Sequence, residues 1–252
     1  MRSKMTIMQK NTLFVADDPM GAAIYDYHKN GKADKLRVFS SCMEEDEIPV
    51  SELFRTFSEM PNLEQIALKM ARGNILDVGG GSGCHSLALK EMGKETLAID
   101  ISPLAVEVMR ERGINAQVTN LYDESFSEKF DTILLLMNGS GIIGNLENME
   151  HFFTRIRTLL NPGGCVLMDS SDLRYLFEEE DGSFSINLAD EYYGQFDYQM
   201  QYKEIKGQPF DWLYIDFDTL NYYAEKYGFR VELAASGNHY DYLAKLAPIE
   251  DR

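Results

Sequence analysis

The stretch ILDVGGGSGCHS, residues 75–86, combines a short apolar run with a cluster of glycines. The run Ile75–Val78 predicts a buried strand, and the glycines predict a turn in which the backbone can approach a ligand closely. The cluster consists of Gly79, Gly80, Gly81 and Gly83. Because such clusters also form ordinary turns, the residues around them must decide what they do.

Those neighbouring residues argue against a phosphate ligand. Cys84 stands where the dinucleotide-binding pattern GxGxxG requires its third glycine, so an NAD-dependent oxidoreductase is the weaker alternative. No Lys-Ser or Lys-Thr pair follows Gly83, which excludes a Walker phosphate loop. The carboxylate of Asp77 would repel a pyrophosphate and attract an ammonium group. The pattern therefore favours a ligand that carries a cation.

From Asn74 onward, short apolar runs alternate with helical patterns, which is typical of βαβ units around a parallel sheet. After the first strand, the predicted strands are residues 94–100, 115–120, 130–138, 164–171, 229–236 and 239–246. Ser102 and Pro103 predict the start of one intervening helix, and Gly113 its end. The tight Gly237-Asn238 connection predicts that the last strand returns antiparallel. We therefore predict an α/β fold with a doubly wound, mostly parallel sheet.

Two segments lie outside this alternation. Residues 1–73 have mostly helical patterns, which predicts an N-terminal helical cap segment, with residues 20–31 and 62–73 forming helices that each end at a glycine. Residues 173–216 read as an insertion in the core domain, residues 74–252. Within it, alternating apolar residues predict a hairpin with an aromatic face that covers the substrate. The alternating residues are Phe196, Tyr198, Met200 and Tyr202, then Phe210, Trp212 and Tyr214.

Composition narrows the class of partner. The 252 residues carry a formal net charge of −17, which argues against binding to nucleic acid or an anionic membrane. The three cysteines are too few and too scattered for a disulfide framework or a thiolate zinc site, and we expect no metal. The first ten residues contain no long apolar segment, and no run approaches the ~18 apolar residues of a spanning helix. We therefore expect a soluble cytoplasmic protein.

The segment LDVGGGSG resembles motif I of the class I S-adenosylmethionine-dependent methyltransferases. The resemblance covers residues 74–172 and, more loosely, the C-terminal strands. It implies a Rossmann-like fold and an enzyme that transfers a methyl group from S-adenosylmethionine. It also implies that Asp77 contacts the methionyl ammonium group and that the backbone at Gly79 and Gly81 lies against the methionine and ribose.

Further positions match the family's cofactor contacts. Asp100 corresponds to the acid that binds both ribose hydroxyls, and Asn120 and Leu121 to the pair at the adenine. The family more often has Asp where Asn120 stands, but an amide and a carboxylate can both accept from an exocyclic amine. The predicted cofactor residues are Asp77, Gly79, Gly80, Gly81, Gly83, Asp100, Ile101, Asn120, Leu121, Met137 and Asn138.

The acceptor of the methyl group is less well defined by sequence. The residues MNGSG after the fourth strand do not match the (Asp/Asn)-Pro-Pro-(Tyr/Phe) motif of amino-group methyltransferases that act on nucleobases or glutamine. A Pro-Cys nucleophile for pyrimidine carbon is also missing there. We expect a small aromatic or amphipathic acceptor, with attack from oxygen, nitrogen or carbon left open. Asn138 either orients a ligand or is a turn residue. A binder of the cofactor without activity remains an alternative, and the oligomeric state is open.

Ligands of parallel sheets lie beyond the carboxyl ends of the strands, where the Gly237-Asn238 turn should also lie. This placement makes His239 and Tyr240 candidate catalytic residues, with His239 as a general base or, alternatively, a hydrogen-bonded structural histidine. The predicted substrate contacts, for which ordinary packing is the alternative, are Tyr25, His28, Asp169, Tyr193 and Trp212.

Overall fold

The computed structural model describes residues 12–177 and 192–250. Two parts of the predicted segments lie outside the described residues: residues 1–11 of the cap segment and residues 178–191 of the insertion. The described strands, in chain order, are β1 (Leu36–Phe39), β2 (Asp46–Ile48), β3 (Ile75–Val78), β4 (Thr96–Asp100), β5 (Ala116–Val118), β6 (Phe130–Leu135), β7 (Leu160–Ser171), β8 (Gln195–Tyr202), β9 (Ile205–Lys206), β10 (Phe210–Leu213), β11 (Phe229–Ser236) and β12 (Asp241–Pro248). The described α-helices are α1 (Pro19–Asn30), α2 (Asn62–Met70), α3 (Cys84–Glu91), α4 (Pro103–Glu111), α5 (Met149–Leu159) and α6 (Phe217–Lys226).

The larger sheet has seven strands in the order β11-β12-β7-β6-β3-β4-β5. Strands β5, β4, β3, β6 and β7 are parallel, whereas β12 runs antiparallel to β7 and β11 antiparallel to β12. The chain runs outward from β3 through β4 to β5 and then returns to β6 on the other side of β3. This order confirms the predicted Rossmann-like α/β fold and places the topological switch point between β3 and β6.

Both faces of this sheet are covered, which explains the continuous apolar runs of its central strands. Ile133 and Leu135 of β6 pack in a cluster with residues of α5 and α6. Leu134, between them, points to the opposite face and packs with residues of α2 and α3. Side chains that alternate between two helical layers leave no solvent-facing side on β6.

The helix ends follow the sequence signals with one exception. The Oγ atom of Ser102 accepts a hydrogen bond from the N–H of Ala105 at 2.9 Å and caps α4, as predicted. Helix α2 ends at Met70, with Ala71 as its C-cap, so the prediction that it continues to Gly73 was wrong. Gly73 instead has a positive φ of 64° and turns the chain into β3.

A second sheet has the strand order β10-β8-β1-β2, and β9 also pairs with β8. Every pairing in it is antiparallel. The N-terminal segment therefore contributes two strands that the prediction of a helical cap segment did not include. These strands are only four and three residues long, and β1 pairs with residues about 160 positions away. Such short strands give too little periodicity to identify in the sequence.

Residues 12–177 and 192–250 contain no helix that is both long and apolar enough to cross a membrane.

Candidate active site

A cavity of about 580 Å³ lies at the carboxyl ends of the central parallel strands and is covered by the second sheet. Four core segments line it: residues 77–82 at the end of β3 and in the loop that follows, residues 99–101 at the end of β4, residues 119–121 after β5 and residues 136–139 after β6. The switch point of the sheet and the cavity therefore coincide, which is where ligands bind in open α/β sheets.

The glycine loop presents its backbone to this cavity. The N–H groups of Gly79 and Gly80 both donate to the carbonyl of Ile99, at 2.8 and 3.1 Å, which fixes the turn against β4. Gly81 has a φ of 56°, and a Cβ atom there would meet no described atom closer than 3.9 Å. A ligand can therefore approach the main chain at Gly81 without meeting a side chain.

Gly83 has a different environment from the other loop glycines. Its φ is 84°, and a Cβ atom there would overlap Ile114 and lie 2.9 Å from Cγ of Met109. Gly83 itself is outside the cavity lining. This glycine therefore permits the close packing of α3 against the α4 layer.

Two acids predicted to hold the cofactor are fixed in place. Asp77 is buried, and its Oδ2 atom accepts a hydrogen bond from Ser86 Oγ at 2.7 Å. Asp100 accepts from the N–H of Gly81 at 2.9 Å and from that of Ser102 at 2.8 Å, one bond to each carboxylate oxygen. Burial raises the pKa of Asp100 to about 6. Both carboxylates line the cavity and are preorganised for ligand groups that donate hydrogen bonds.

The segment after β5 places Asn120 and Leu121 in the cavity wall, and Ile101 lies beside the end of β4. Asn120 is buried, and its Oδ1 atom accepts from the N–H of Tyr122 at 2.9 Å. This bond fixes the backbone of the turn. The arrangement is compatible with the implied adenine contacts of both residues.

The loop after β6 has an unusual backbone. Met137 and Asn138 both have left-handed conformations, with φ of 65° and 57°, which are costly for residues other than glycine. Asp169 at the end of β7 accepts hydrogen bonds from the N–H groups of Met137 at 3.2 Å and Gly139 at 3.0 Å. Ser171 Oγ donates to Asn138 Oδ1 at 2.8 Å. The fold thus holds a strained loop against the cavity.

The role of Asp169 follows from these contacts. The carboxylate of Asp169 holds the loop by accepting hydrogen bonds from its backbone. Asp169 is not among the described residues that line the cavity. Burial raises the pKa of Asp169 to about 6. The structure therefore connects Asp169 to loop geometry, and not to the substrate contact predicted for it.

The second sheet and the residue that follows β10 supply an aromatic wall, which we define as Tyr198, Phe210, Trp212 and Tyr214. The hydroxyl groups of Tyr198 and Tyr214 are 3.2 Å apart. Trp212 packs so closely on Gly141 that any side chain at Gly141 would overlap its indole ring. Of the predicted substrate contacts, the structure brings Trp212 to the cavity.

Other predicted substrate residues have partners elsewhere. The Nε2 atom of His28 is 3.0 Å from a carboxylate oxygen of Glu111, and the ring of Tyr25 lies under the ammonium group of Lys29. The hydroxyl of Tyr193 donates to Asp172 at 2.8 Å. The described lining of the cavity does not include Tyr25, His28 or Tyr193.

The two candidate catalytic residues lie in the turn between β11 and β12. The turn is at the carboxyl edge of the sheet, as predicted, but β12 begins only at Asp241. His239 is exposed, and its N–H donates to Asp241 Oδ1 at 2.9 Å; the exposed ring of Tyr240 stacks on Tyr175. Because β12 lies beyond β7, away from the switch point, the structure does not bring His239 or Tyr240 to the described cavity lining.

A buried ionic group that the sequence did not predict lies beside the glycine loop. Glu64 of α2 contacts both His85, at 2.7 Å, and Arg55, at 2.8 Å. His85 lines the cavity. An acid on an amphipathic helix normally faces solvent, so the pattern of α2 gave no signal that Glu64 is buried.

Comparisons with known proteins agree with this geometry. A family model described as a methyltransferase domain matches residues 75–164. The crystal structure of an S-adenosylmethionine-dependent methyltransferase from Bacteroides fragilis, in complex with S-adenosyl-L-homocysteine, is 61% identical, covers 96% of this chain and 100% of that one, and superposes with a TM-score of 0.91.

More distant relatives share the methyltransferase description. An uncharacterized methyltransferase from Staphylococcus carnosus is 27% identical over 67% of this chain and 78% of that protein. The cypemycin N-terminal methyltransferase of a Streptomyces species is 28% identical over 39% of this chain, and the match spans only 42% of that protein.

The fold and the matched domain define the class as methyltransferase. This chain belongs to the S-adenosylmethionine-dependent methyltransferases, and it is an enzyme that uses S-adenosylmethionine.

Proposed function

We propose that this enzyme methylates a small acceptor with an aromatic or apolar body, bound between the glycine loop and the aromatic wall. The observation that carries this proposal is the continuity of the cavity, which extends from Gly79 and Gly81 to Trp212 without a break. One end offers fixed backbone and carboxylates for the cofactor. The other offers aromatic surface for a second molecule.

The residues present fit S-adenosylmethionine. The open main chain at Gly81 admits a ligand, and Asp100 can accept from the two ribose hydroxyls while it holds the loop. Asp77 would meet the methionyl ammonium group, and Asn120 with Leu121 would meet the adenine. When bound, the cofactor would supply an electrophilic methyl group for transfer to a lone pair of the acceptor, with the C–S electron pair left on sulfur and any proton on the attacking atom released to water.

The contribution of the chain to this reaction is orientation and exclusion of water. Well-oriented reactants account for roughly 7–11 kcal/mol of a barrier. Burial raises the pKa of Tyr198 and Tyr214 above the ordinary value, so both hydroxyls stay protonated at neutral pH. Tyr198 and Tyr214 can therefore orient an acceptor through hydrogen bonds, but they do not serve as bases.

The charge of the cavity restricts the acceptor further. Among the described lining residues there is no lysine or arginine, whereas Glu44, Asp46 and Glu52 contribute carboxylates. A carboxylate or phosphate on the acceptor would find no lysine or arginine partner in that part of the chain. His85, the other side chain of this lining that can carry a positive charge, adjoins the glycine loop at the cofactor end of the cavity. The acceptor is therefore a neutral or cationic small molecule, and nucleic acid does not fit.

The N-terminal cap segment and the insertion act together in this proposal. Residues 1–73 supply β1 and β2, and residues 173–216 supply β8 and β10, of one continuous sheet. Val38 of β1 and Met200 of β8 are paired neighbours and both line the cavity. We therefore assign the cap segment and the insertion a shared role in covering the acceptor.

Trp212 gives a direct test, because it is the chain's only tryptophan and lies in the proposed acceptor wall. Phenethyl alcohol, phenethylamine and phenylacetate share one aromatic body and differ in charge. With S-adenosylhomocysteine present, we expect the alcohol and the amine to change the Trp212 fluorescence at lower concentrations than phenylacetate. Equal or tighter binding of phenylacetate would contradict the proposed charge preference.

Turnover is tested with methyl-labelled cofactor and a panel of neutral and cationic aromatic compounds. Labelled product is expected from members of this panel, and Trp212→Leu should lower its yield while S-adenosylhomocysteine affinity stays within about twofold. Methylation of only anionic compounds or macromolecules would refute the proposal.

A further inference from the structure

The buried group of Arg55, Glu64 and His85 joins the N-terminal segment to the core. Glu64 and His85 are only 4% and 5% exposed. One guanidinium nitrogen of Arg55 lies 2.8 and 2.9 Å from the two carboxylate oxygens of Glu64, and Nε2 of His85 lies 2.7 Å from Oε2. Arg55 and Glu64 precede β3, whereas His85 is in the first turn of α3.

This group has an excess of positive charge when His85 is protonated. Burial lowers the pKa of His85, but the hydrogen bond to Glu64 and the charges of Asp77 and Asp169 raise it, and the net pKa is above the ordinary value. Arg55 already balances the charge of Glu64. The imidazolium of His85 is therefore the unbalanced cation of the three, and a buried cation favours an anionic partner.

The position of His85 indicates which anion it meets. His85, Asp77 and Gly79 line the cavity, and within the described lining His85 is the one side chain that can carry a positive charge. The cofactor's amino-acid end carries an ammonium group and a carboxylate on one carbon atom. Asp77 complements the ammonium group, so the adjacent carboxylate requires a donor from the same part of the cavity.

We propose that His85 binds the α-carboxylate of S-adenosylmethionine, and that Glu64 and Arg55 are positioning residues that hold the imidazolium toward it. This inference rests on the proposed location of the cofactor in the cavity. Because Arg55 and Glu64 belong to the cap segment, tight binding of the amino-acid end requires that segment to be in place. Ser82 Oγ also donates to the carbonyl of Leu53, which fastens the same segment to the glycine loop.

Two ligands separate this role from a general structural one. S-Adenosylhomocysteine has the amino-acid end, whereas methylthioadenosine has the same adenosine and thioether without it. By calorimetry, His85→Asn should weaken binding of S-adenosylhomocysteine by ~10–100-fold, the range for a lost charge-assisted hydrogen bond. Methylthioadenosine affinity should stay within about twofold. Glu64→Gln should show the same selectivity with a smaller loss.

Asp100→Asn is the matched control for cofactor placement. It should weaken both ligands, because both carry the ribose. If Asp100→Asn has this effect but His85→Asn weakens both ligands equally, or neither, the carboxylate assignment is overturned and the placement stands. If Asp100→Asn changes neither affinity, the placement itself fails, and the assignment of His85 falls with it.

The parent protein provides a second measurement should the variants not fold. The ratio of S-adenosylhomocysteine to methylthioadenosine affinity should fall as pH rises through the pKa of His85, because the imidazolium loses its charge. A ratio that stays constant across the titration of His85, followed by NMR of its imidazole, would overturn the proposal without any substitution.

Discussion

The backbone N–H of Gly81 donates to Oδ2 of Asp100 at 2.9 Å, so the glycine loop after β3 and the acid that ends β4 form one unit. Asp100 also accepts from the N–H of Ser102, which caps α4. A single carboxylate therefore organises three segments of the cofactor end of the cavity. Removing it should affect ligand binding both directly and through the loop.

Asp100→Ala should reduce the affinity for S-adenosylhomocysteine by roughly 1.5–3 kcal/mol, the size of a lost hydrogen bond to a charged group. Calorimetry at neutral pH measures the change. Glu95→Ala, which removes an exposed acid next to the same strand, is the control and should leave the affinity unaltered. Equal affinities for parent and Asp100→Ala would refute the assignment of Asp100 to the ribose.

The two substitutions Gly81→Ala and Gly83→Ala should differ in what they lower most. The first should mainly lower ligand affinity, and the second should mainly lower stability. Both positions have positive φ, which costs an alanine about 1–2 kcal/mol. At Gly83 the new methyl also overlaps Ile114, so we expect the larger fall in melting temperature there. At Gly81 the methyl enters open space in the cavity, so we expect the larger loss of S-adenosylhomocysteine affinity. A greater stability loss at Gly81 would contradict this distinction.

The sequence predicted the Rossmann-like alternation of strands and helices, because the signals for those elements are local and strong. The central strands are mostly apolar, and the glycines and acids stand at or near strand ends whose spatial relation follows from a parallel sheet. The predicted cofactor positions from Asp77 to Asn138 accordingly line one cavity, with Gly83 displaced to a packing role.

The acceptor end was harder to predict because it depends on distant contacts. β1 has four residues and gains its partner only when β8 folds beside it. The Gly237-Asn238 turn was placed at the correct edge of the sheet, yet His239 lies beside β7, away from the switch point. Which edge a residue reaches follows from strand direction, but its position along that edge follows from strand order.

The pH dependence of stability should report the environment of Asp169. Burial raises its pKa to about 6, whereas a carboxyl in an unfolded chain titrates near ~3.9. Between these values the folded state binds more protons than the unfolded state. The contribution of Asp169 to the free energy of unfolding therefore falls as pH rises from about 4 to about 6 and is not regained above that range.

Asp169→Asn removes this titration. The free energy of unfolding of the variant, relative to that of the parent, should increase as pH rises from about 4.5 to about 7 in denaturant titrations. Asp123→Asn is the matched control, because hydrogen bonds from Ser125 lower the pKa of Asp123 and move its titration below this window. A relative stability of Asp169→Asn that does not change with pH would show that the carboxyl of Asp169 has no raised pKa.

Gly141→Ala should disturb the acceptor end through Trp212. A methyl group at Gly141 would overlap the indole, so Trp212 must move, and its fluorescence should change in the protein without acceptor. We expect weaker binding of phenethylamine and a lower melting temperature, with S-adenosylhomocysteine affinity within about twofold of the parent. Trp212→Leu in the Gly141→Ala background relieves the overlap, so the two substitutions should be less destabilising together than the sum of their separate effects. Strictly additive melting-temperature changes would show that Gly141 does not set the position of Trp212.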